Sequence, residues 1–293
     1  MSAVAERAPA ATAAPPAARP HRYDRPRFLW VLYALVCAYL FVPIVVVVVF
    51  SFNDARNVQI WNGFSLRWYR AFLNDSTIQA SLKASLEVAL VTMVVATVLG
   101  TLLAFGLTRA RGVGIGSANI LMLAPLITPE IVTGVGLLLL FTNLHVTLSL
   151  TTVALAHITF SISYVTVIVR ARLAALNREV EEAAMDLGAT RLGALRLVTL
   201  PALMPAILAS ALLVFVLSFD DFVTSFFVSG SGTSPLPVQI YAMLRYNLSP
   251  EVNAVGTVMI AITLVLAAIA IPLTLWRARG QLDAAAVPAR EDA

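Results

Sequence analysis

The sequence predicts an all-α membrane protein whose chain crosses the bilayer as six transmembrane helices. Only 12% of the 293 residues are charged and 59% are hydrophobic, whereas soluble domains carry about 25% charged residues. Six apolar stretches are long enough to cross a hydrocarbon core of about 30 Å, and lipid favours helices because they satisfy their own backbone groups. The stretches are Phe28–Phe52, Leu82–Leu107, Ala118–Thr142, Thr151–Val169, Met204–Val228 and Ala254–Trp276.

We expect a membrane domain over residues 28–276 with a polar tail at each end. Residues 1–27 are rich in Ala, Pro and Arg and lack apolar periodicity, which is typical of a disordered segment. The first apolar stretch has no charge, and no small-residue cleavage site follows it at Phe50-Ser51-Phe52. It is therefore predicted to remain as an anchor rather than to be removed as a signal peptide. Residues 277–293 form the second tail.

The distribution of basic residues predicts the orientation in the membrane. With the N-terminus inside, fifteen arginines lie in inner segments, against four arginines and one lysine in outer segments. Cytoplasmic loops carry such an excess of basic residues. Both termini and residues 178–200 are therefore predicted on the cytoplasmic side of the membrane of a bacterial cell. The pI near 9.6 follows from residues that flank spans, so it does not indicate a nucleic-acid partner.

The third and fifth stretches contain carboxylates that are expensive in lipid. Glu130 lies in the third, and Asp220 and Asp221 lie in the fifth. A charge at mid-bilayer costs at least about 2.5–3.5 kcal/mol on insertion scales, so each carboxylate needs a partner or water. Thr128-Pro129 precedes Glu130, which predicts a kink or break in that helix, and broken helices near the midplane often mark transport sites.

No basic residue lies at comparable depth in any predicted span, so we expect no ion pair to these acids within the chain. The missing positive charge would come from the substrate, from a partner subunit or from protons. A structural network with partner helices is the alternative. Asp220 and Asp221 would lie about 100° apart on one helix, so both cannot point squarely into one pore. His157 in the fourth stretch is either functional or, as we favour, hydrogen-bonded to a neighbour.

Between the fourth and fifth stretches, a polar segment is predicted to form two short helices. Asn177 is a plausible N-cap of the first helix, and Gly188 is suited to end it. Thr190 can cap a second helix that runs toward Leu200, and Pro201 marks the start of the next apolar span. The first turns carry three acids that favour the positive end of the helix dipole: Glu179, Glu181 and Glu182.

This segment resembles the cytoplasmic signature of ABC importer permeases. It reads Glu182-Ala183-Ala184, three residues, Gly188, nine residues, and then an aliphatic residue, Thr199 and Leu200-Pro201. In that family the helix pair docks into a groove on an ATPase subunit. A Glu-Ala-Ala triplet alone is common in helices, and an ordinary amphipathic connecting loop is the alternative. The resemblance implies an ATPase-coupling role for Glu181, Glu182, Ala183, Ala184, Gly188, Leu200 and Pro201.

The chain lacks the motifs of an enzyme or an ATPase. Lys83 is the single lysine and follows Leu82, so no Gly-Lys-Ser/Thr phosphate loop exists. The three histidines are scattered without carboxylate or Cys at metal-ligand spacing, and no nucleophile–base pattern is visible. The lone Cys37 excludes an intrachain disulfide. We therefore expect no cofactor in this chain, with ATP and Mg²⁺ held by a partner ATPase.

A narrower resemblance is to spermidine/putrescine-type permeases, over nearly all of residues 28–276. Four segments carry it: Ser51-Phe52-Asn53-Asp54, Trp68-Tyr69, Ser218-Phe219-Asp220-Asp221-Phe222-Val223 and Leu248-Ser249-Pro250-Glu251-Val252-Asn253-Ala254. It implies a type I importer in which two permease subunits, identical or different, join two ATPase subunits and an external solute-binding protein.

The same resemblance implies a polyamine substrate, with Glu130, Asp220 and Asp221 along its path. The alternatives are an ABC permease for an amino acid or an opine, or a proton-coupled secondary transporter. The aromatic residues of the first outer segment either dock a soluble partner or form a membrane-interface belt. Leu236 to Tyr246 fits a short re-entrant or surface helix.

Overall fold

The computed structural model of the chain describes residues 27–57, 60–110, 112–246 and 249–285. The predicted tail at residues 1–26 and the end of the second tail, residues 286–293, lie outside the described residues. The helices are α1 (Arg27–Phe50), α2 (Arg67–Asn74), α3 (Ser76–Arg109), α4 (Ile115–Ile127), α5 (Glu130–Asn143), α6 (Leu150–Ala174), α7 (Arg178–Asp186), α8 (Arg191–Ala194), a π-helix (Leu195–Thr199), α9 (Leu200–Asp220), α10 (Val223–Val228), α11 (Leu236–Tyr246) and α12 (Glu251–Ala285).

The all-α prediction is confirmed. In the described part of the chain, five helices are long and apolar enough to cross a membrane, or six if α4 and α5 form one broken span. The chain divides within α1, between Val45 and Val46, into two compact units, and the helices after α1 belong to the second unit. The sixth predicted span is longer than expected, because α12 continues past Trp276 to Ala285.

The second span begins six residues earlier than its apolar stretch, at Ser76 rather than Leu82. Asp75 explains the difference. Its carboxylate accepts hydrogen bonds from the backbone N–H groups of Thr77 at 2.8 Å and Ile78 at 3.1 Å. These are donors that the first turn of a helix leaves unsatisfied, so an Asp at this position starts a helix in polar sequence.

The core of the second unit is the contact of α3 with α6 and α9, where small residues let the helices approach closely. An ideal Cβ on Gly100 of α3 would lie 2.6 Å from Val165 Cβ and 2.9 Å from the Ile162 carbonyl oxygen of α6. The Thr166 hydroxyl donates to the Gly100 carbonyl at 3.2 Å. Small residues and interhelical hydrogen bonds of this kind hold membrane helices together.

This close approach makes opposite predictions for two glycines of the same helix. Gly100→Ala should lower the thermal midpoint of the purified protein, because α3 and α6 must separate, at a cost of about 1–3 kcal/mol. Gly106→Ala is the matched control: nothing lies within 4 Å of its added Cβ, and Ala is favoured over Gly in a helix by about 1 kcal/mol. A midpoint that does not fall in Gly100→Ala would contradict the packing.

The fifth span differs from the prediction at its start. We expected the second short helix to end before Pro201, whereas α8, the π-helix and α9 are continuous over Arg191–Asp220. Pro201 cannot donate to a carbonyl in the preceding turn, and its ring needs room there. The widened turn provides that room: the Leu200 N–H bonds to the Leu195 carbonyl, five residues back.

Two spans are broken inside the apolar region. The break predicted at Thr128-Pro129 is confirmed, and α4 and α5 meet at 108°. A second break, which we did not predict, follows Asp220, where α9 ends and Asp221 has extended backbone angles (φ −66°, ψ 117°). The prediction that Asp220 and Asp221 lie 100° apart on one helix is therefore wrong.

The segments predicted on the outer side contain two further helices, α2 and α11. Trp68 and Tyr69 lie on α2, and the Tyr69 hydroxyl is 2.6 Å from the Ser51 hydroxyl. The helix expected from Leu236 to Tyr246 is present as α11, and its Leu236 N–H donates to the Ser85 hydroxyl of α3 at 2.7 Å. Because Leu236 is buried, the start of α11 is inserted into the bundle rather than lying on its surface.

Candidate functional site

The two broken spans face each other across a cavity of about 310 Å³. Glu130 lies at its edge as the first residue of α5, and Asp220 lies there as the last residue of α9. The other walls include aromatic side chains from α6 and from the break after Asp220: Phe160, Tyr164 and Phe222. Asp221 also lines the cavity, so the structure brings together all three carboxylates that the sequence singled out.

Close packing between the second halves of the broken spans holds this arrangement. Gly134 of α5 lies against Phe227 of α10, so an ideal Cβ at Gly134 would be 2.8 Å from the Phe227 ring. Each second half begins close to a carboxylate, because Glu130 is the first residue of α5 and Asp221 lies two residues before α10. Residues at both helix starts therefore line the same cavity.

Glu130 and Asp220 are both exposed, and among the described residues neither has an ion pair or a side-chain hydrogen bond. A carboxylate in this setting is favoured by water or by a cation. The aromatic faces nearby also attract cations. The cavity therefore has the chemistry of a site for organic or inorganic cations.

Asp221 differs from its neighbour, because its carboxylate has a hydrogen-bond partner on another helix. Its Oδ2 atom is 3.0 Å from Nε2 of His157 on α6, and both side chains are buried, with exposed fractions of 7% and 1%. His157 Nδ1 is 2.7 Å from the Ser218 hydroxyl, and its Nε2 is 3.1 Å from the Ser225 hydroxyl. Asp221 also accepts the Ser225 N–H at 2.8 Å.

Sequence reasoning considered His157 and Asp221 separately and did not pair them. One feature of the sequence could have indicated the pair. Each residue is a polar group in an apolar span, which is energetically unfavourable, and two such groups on different helices reduce that free-energy cost by contacting each other. His157 also has the hydrogen-bonded neighbours that we favoured for it. The two residues are 64 positions apart in the sequence, and no local motif indicates that they pair.

At the other end of the bundle, the predicted caps at Asn177 and Thr190 and the predicted turn at Gly188 are confirmed. Asn177 caps α7 by accepting the Glu179 N–H, and Gly188 follows the helix with φ +95°. Thr190 caps α8 by accepting the Gly193 N–H at 3.1 Å. Glu182 and Ala183 are exposed and Ala184 is half-buried.

The helix pair presents apolar side chains that nothing in the described chain covers. The exposed fraction is 91% for Leu187, 55% for Leu192 and 75% for Leu197, and α7 has no buried residue. Leu200, at the start of α9, is also partly exposed. Exposed apolar residues in a polar, charged segment indicate a surface for another protein.

Glu181 is placed differently from its neighbours, because it points into the chain. Its carboxylate contacts Arg109 Nη2 at the end of α3, at 2.7 and 2.8 Å, and accepts the Thr199 hydroxyl from the π-helix at 3.1 Å. Thr199 itself is buried. Glu181 therefore joins α7 to the C-terminal end of the second span and the N-terminal end of the fifth, a contact that the sequence did not indicate.

No group of three or more His, Cys, Asp or Glu side chains is placed to hold a metal ion within the described ranges.

The sequence of the chain shows the family to which it belongs. It matches the family described as binding-protein-dependent transport system inner membrane component over residues 13–279.

Two relatives illustrate the similarity. The chain is 38% identical over 237 residues to the putrescine transport system permease protein PotI of Escherichia coli K12, covering 78% of this chain and 84% of the relative. It is 39% identical over 243 residues to the spermidine/putrescine transport system permease protein PotC of Haemophilus influenzae, covering 83% and 93%.

Solved structures show the same fold at low sequence identity. A chain of a bacterial ABC transporter that imports alginate matches with a TM-score of 0.67 and 13% identity, covering 85% of this chain and 96% of that chain. A chain of an amino acid ABC transporter matches with a TM-score of 0.55 and 19% identity, covering 74% and 100%. The chain belongs to the family of binding-protein-dependent transport system inner membrane components, as a non-catalytic, multi-pass permease subunit of a bacterial ABC importer.

Proposed function

We propose that this permease translocates a polyamine, putrescine or spermidine, through a path that passes Glu130 and Asp220. The observation that carries the proposal is the cavity with two exposed carboxylates that have no cationic partner in the described chain. A di- or tri-cation supplies the missing charge at both acids, while its methylene groups contact aromatic walls. The names of the relatives at 38–39% identity support the same substrate class. Asp221 also lines the cavity, but His157 already contacts its carboxylate, so we assign it to shaping the path.

The subunit works in an assembly that supplies everything the chain lacks. A second permease, identical or different, completes the path, and an external solute-binding protein delivers the polyamine. Two ATPase subunits bind ATP and Mg²⁺ on the cytoplasmic side, where the positive-inside rule places residues 178–200 and both termini. ATP binding draws the ATPases together, α7 and α8 move with them, and the spans open outward to accept substrate. Hydrolysis resets them.

The residues of the coupling segment divide into two roles in this proposal. Glu182, Ala183 and Ala184 belong to the surface that meets the ATPase, and Gly188 shapes the turn between α7 and α8. Leu200 and Pro201 continue the second helix into the fifth span. Glu181 passes the movement on, through Arg109 and Thr199.

A charge exchange tests the role of Glu181. Arg109→Glu and Glu181→Arg should each lower uptake by about tenfold while the ATPase stays bound, since a charge-assisted hydrogen bond contributes about 1.5–3 kcal/mol. The double variant should recover part of the uptake, because the pair is restored in reverse. If Glu181 instead met the ATPase directly, Glu181→Arg would release the ATPase on co-purification and the double variant would not recover.

The substrate class is tested by binding and by deletion. Labelled putrescine and spermidine should bind the cognate external binding protein, and their uptake by cells should disappear when this permease is deleted and return when it is restored. Competition by an amino acid or an opine, with no effect of polyamines, would contradict the substrate. Uptake driven by a pH gradient without any ATPase would contradict the assembly.

A further inference from the structure

The break in the fifth span does not fall on a helix-breaking residue. Helix α9 ends within the run Phe219-Asp220-Asp221-Phe222, which contains neither proline nor glycine. Kinks in long helices usually arise from Pro, Gly or Ser pairs, π-bulges or an inserted side chain. In contrast, the break between α4 and α5 falls directly on Pro129. The break after Asp220 must therefore be stabilised by hydrogen bonds rather than by a helix-breaking residue.

Backbone chemistry makes such a break costly. Where a helix stops inside a membrane protein, the N–H groups that follow lose their partners, and lipid offers no replacement. Here the Asp221 carboxylate supplies one: it accepts the Ser225 N–H at 2.8 Å, and its other oxygen is 3.4 Å from the Thr224 nitrogen. Accepting these N–H groups keeps the Asp221 carboxylate buried. A buried carboxylate is costly unless it has a hydrogen-bond partner of its own.

His157 is that partner. Because an ionised carboxylate only accepts hydrogen bonds, the Nε2 atom of His157 donates toward Asp221 at 3.0 Å. The Nδ1 atom is 2.7 Å from the Ser218 hydroxyl, which lies two residues before the end of α9. One buried side chain of α6 thus contacts both sides of the break, Ser218 before it and Asp221 and Ser225 after it.

We infer that His157 is a positioning residue that holds the fifth span broken at Asp221, and that the break places Phe222 and α10 on the wall of the cavity. The geometry of a continuous helix shows what the break changes. Phe222 would lie about 200° around the helix from Asp220, on the opposite face. In the structure both residues line the same cavity. The consequence for transport rests on the proposed function, whereas the break itself does not.

Accessibility of a cysteine at position 222 tests this inference. Cys37 is the single native cysteine of this chain. Cys37→Ala therefore gives a background in which Phe222→Cys supplies the only thiol of the permease chain, and labelling is measured on that chain. In the purified complex in detergent, a cationic thiosulfonate reagent reaches both faces and should label position 222 rapidly. Adding His157→Leu should slow labelling by about tenfold or more, since the network of charged hydrogen bonds is lost. His157→Gln, which keeps a donor for Asp221, should restore much of the rate.

Two controls make the result specific. Thr133→Cys, on the α5 wall of the same cavity, should label equally in the presence and absence of His157. His157→Leu combined with Asp221→Asn removes the stranded charge, so it serves if the single variant fails to assemble, and it should slow labelling at position 222 as well. Full labelling at position 222 in either assembled variant would overturn the inference. No transported substrate enters this assay, so an error in the polyamine assignment would leave its outcome unchanged.

Discussion

Replacing Glu130 with Gln and Asp220 with Asn in one chain is expected to reduce polyamine uptake by about 10- to 100-fold per removed charge, because a hydrogen bond to a charged group contributes about 1.5–3 kcal/mol. The substitutions keep the size of each side chain and remove its charge. The measurement is the initial rate of uptake over a range of polyamine concentrations. ATPase binding and membrane insertion should be unchanged, because neither residue lies in α7 or α8.

Glu87→Gln is the matched control for this prediction. Glu87 is an exposed carboxylate of α3 that pairs with Lys83 at 3.6 Å and does not line the cavity. The Glu87→Gln variant should transport normally, since an exposed ion pair of this kind contributes about 0–1 kcal/mol to stability. Uptake that survives loss of both Glu130 and Asp220 would remove these residues from the path.

Gly188→Pro is expected to abolish uptake and the coupling of ATP hydrolysis to transport, while leaving membrane insertion intact. Gly188 has φ +95°, and its N–H donates to the Met185 carbonyl at 2.9 Å. Proline fixes φ near −65° and has no N–H, so the turn between α7 and α8 cannot keep its shape. The measurement is ATPase activity of the complex with and without loaded binding protein, together with uptake.

Two further glycine variants locate the effect. Gly188→Ala strains the same turn by about 1–2 kcal/mol and should give a partial loss. Gly114→Pro places proline at another positive φ, +103°, in the loop between α3 and α4. It should leave coupling largely intact, and an equal loss there would mean that any disturbed loop has this effect. Normal uptake in Gly188→Pro would contradict the assignment of α7 and α8 to coupling.

The predictions that succeeded rest on interactions between residues close in sequence. Asn177, Gly188 and Thr190 act on helix ends within three residues of themselves, and Pro129 breaks its own helix, so sequence alone indicates each of them. The length of the apolar stretches and the missing phosphate loop similarly indicated a multi-pass subunit without its own ATPase.

The features that sequence missed depend on pairs that only the fold brings together. His157 is 64 residues from Asp221, and Arg109 is 72 residues from Glu181. The first pair accompanies the unpredicted break after Asp220. The second pair holds Glu181 against the end of α3, whereas Glu182 and Ala183 of the same helix are exposed. Neither pair has a motif, because the partners lie on different helices and only packing determines which polar groups meet.

The most direct test of the central claim is uptake by the complete complex in proteoliposomes, with ATP supplied on the ATPase side and loaded binding protein on the other. We expect accumulation of labelled putrescine or spermidine that requires ATP hydrolysis and is lost in the Glu130→Gln, Asp220→Asn chain. ATP-driven accumulation of a neutral or anionic solute instead, unaffected by these two substitutions, would contradict the account.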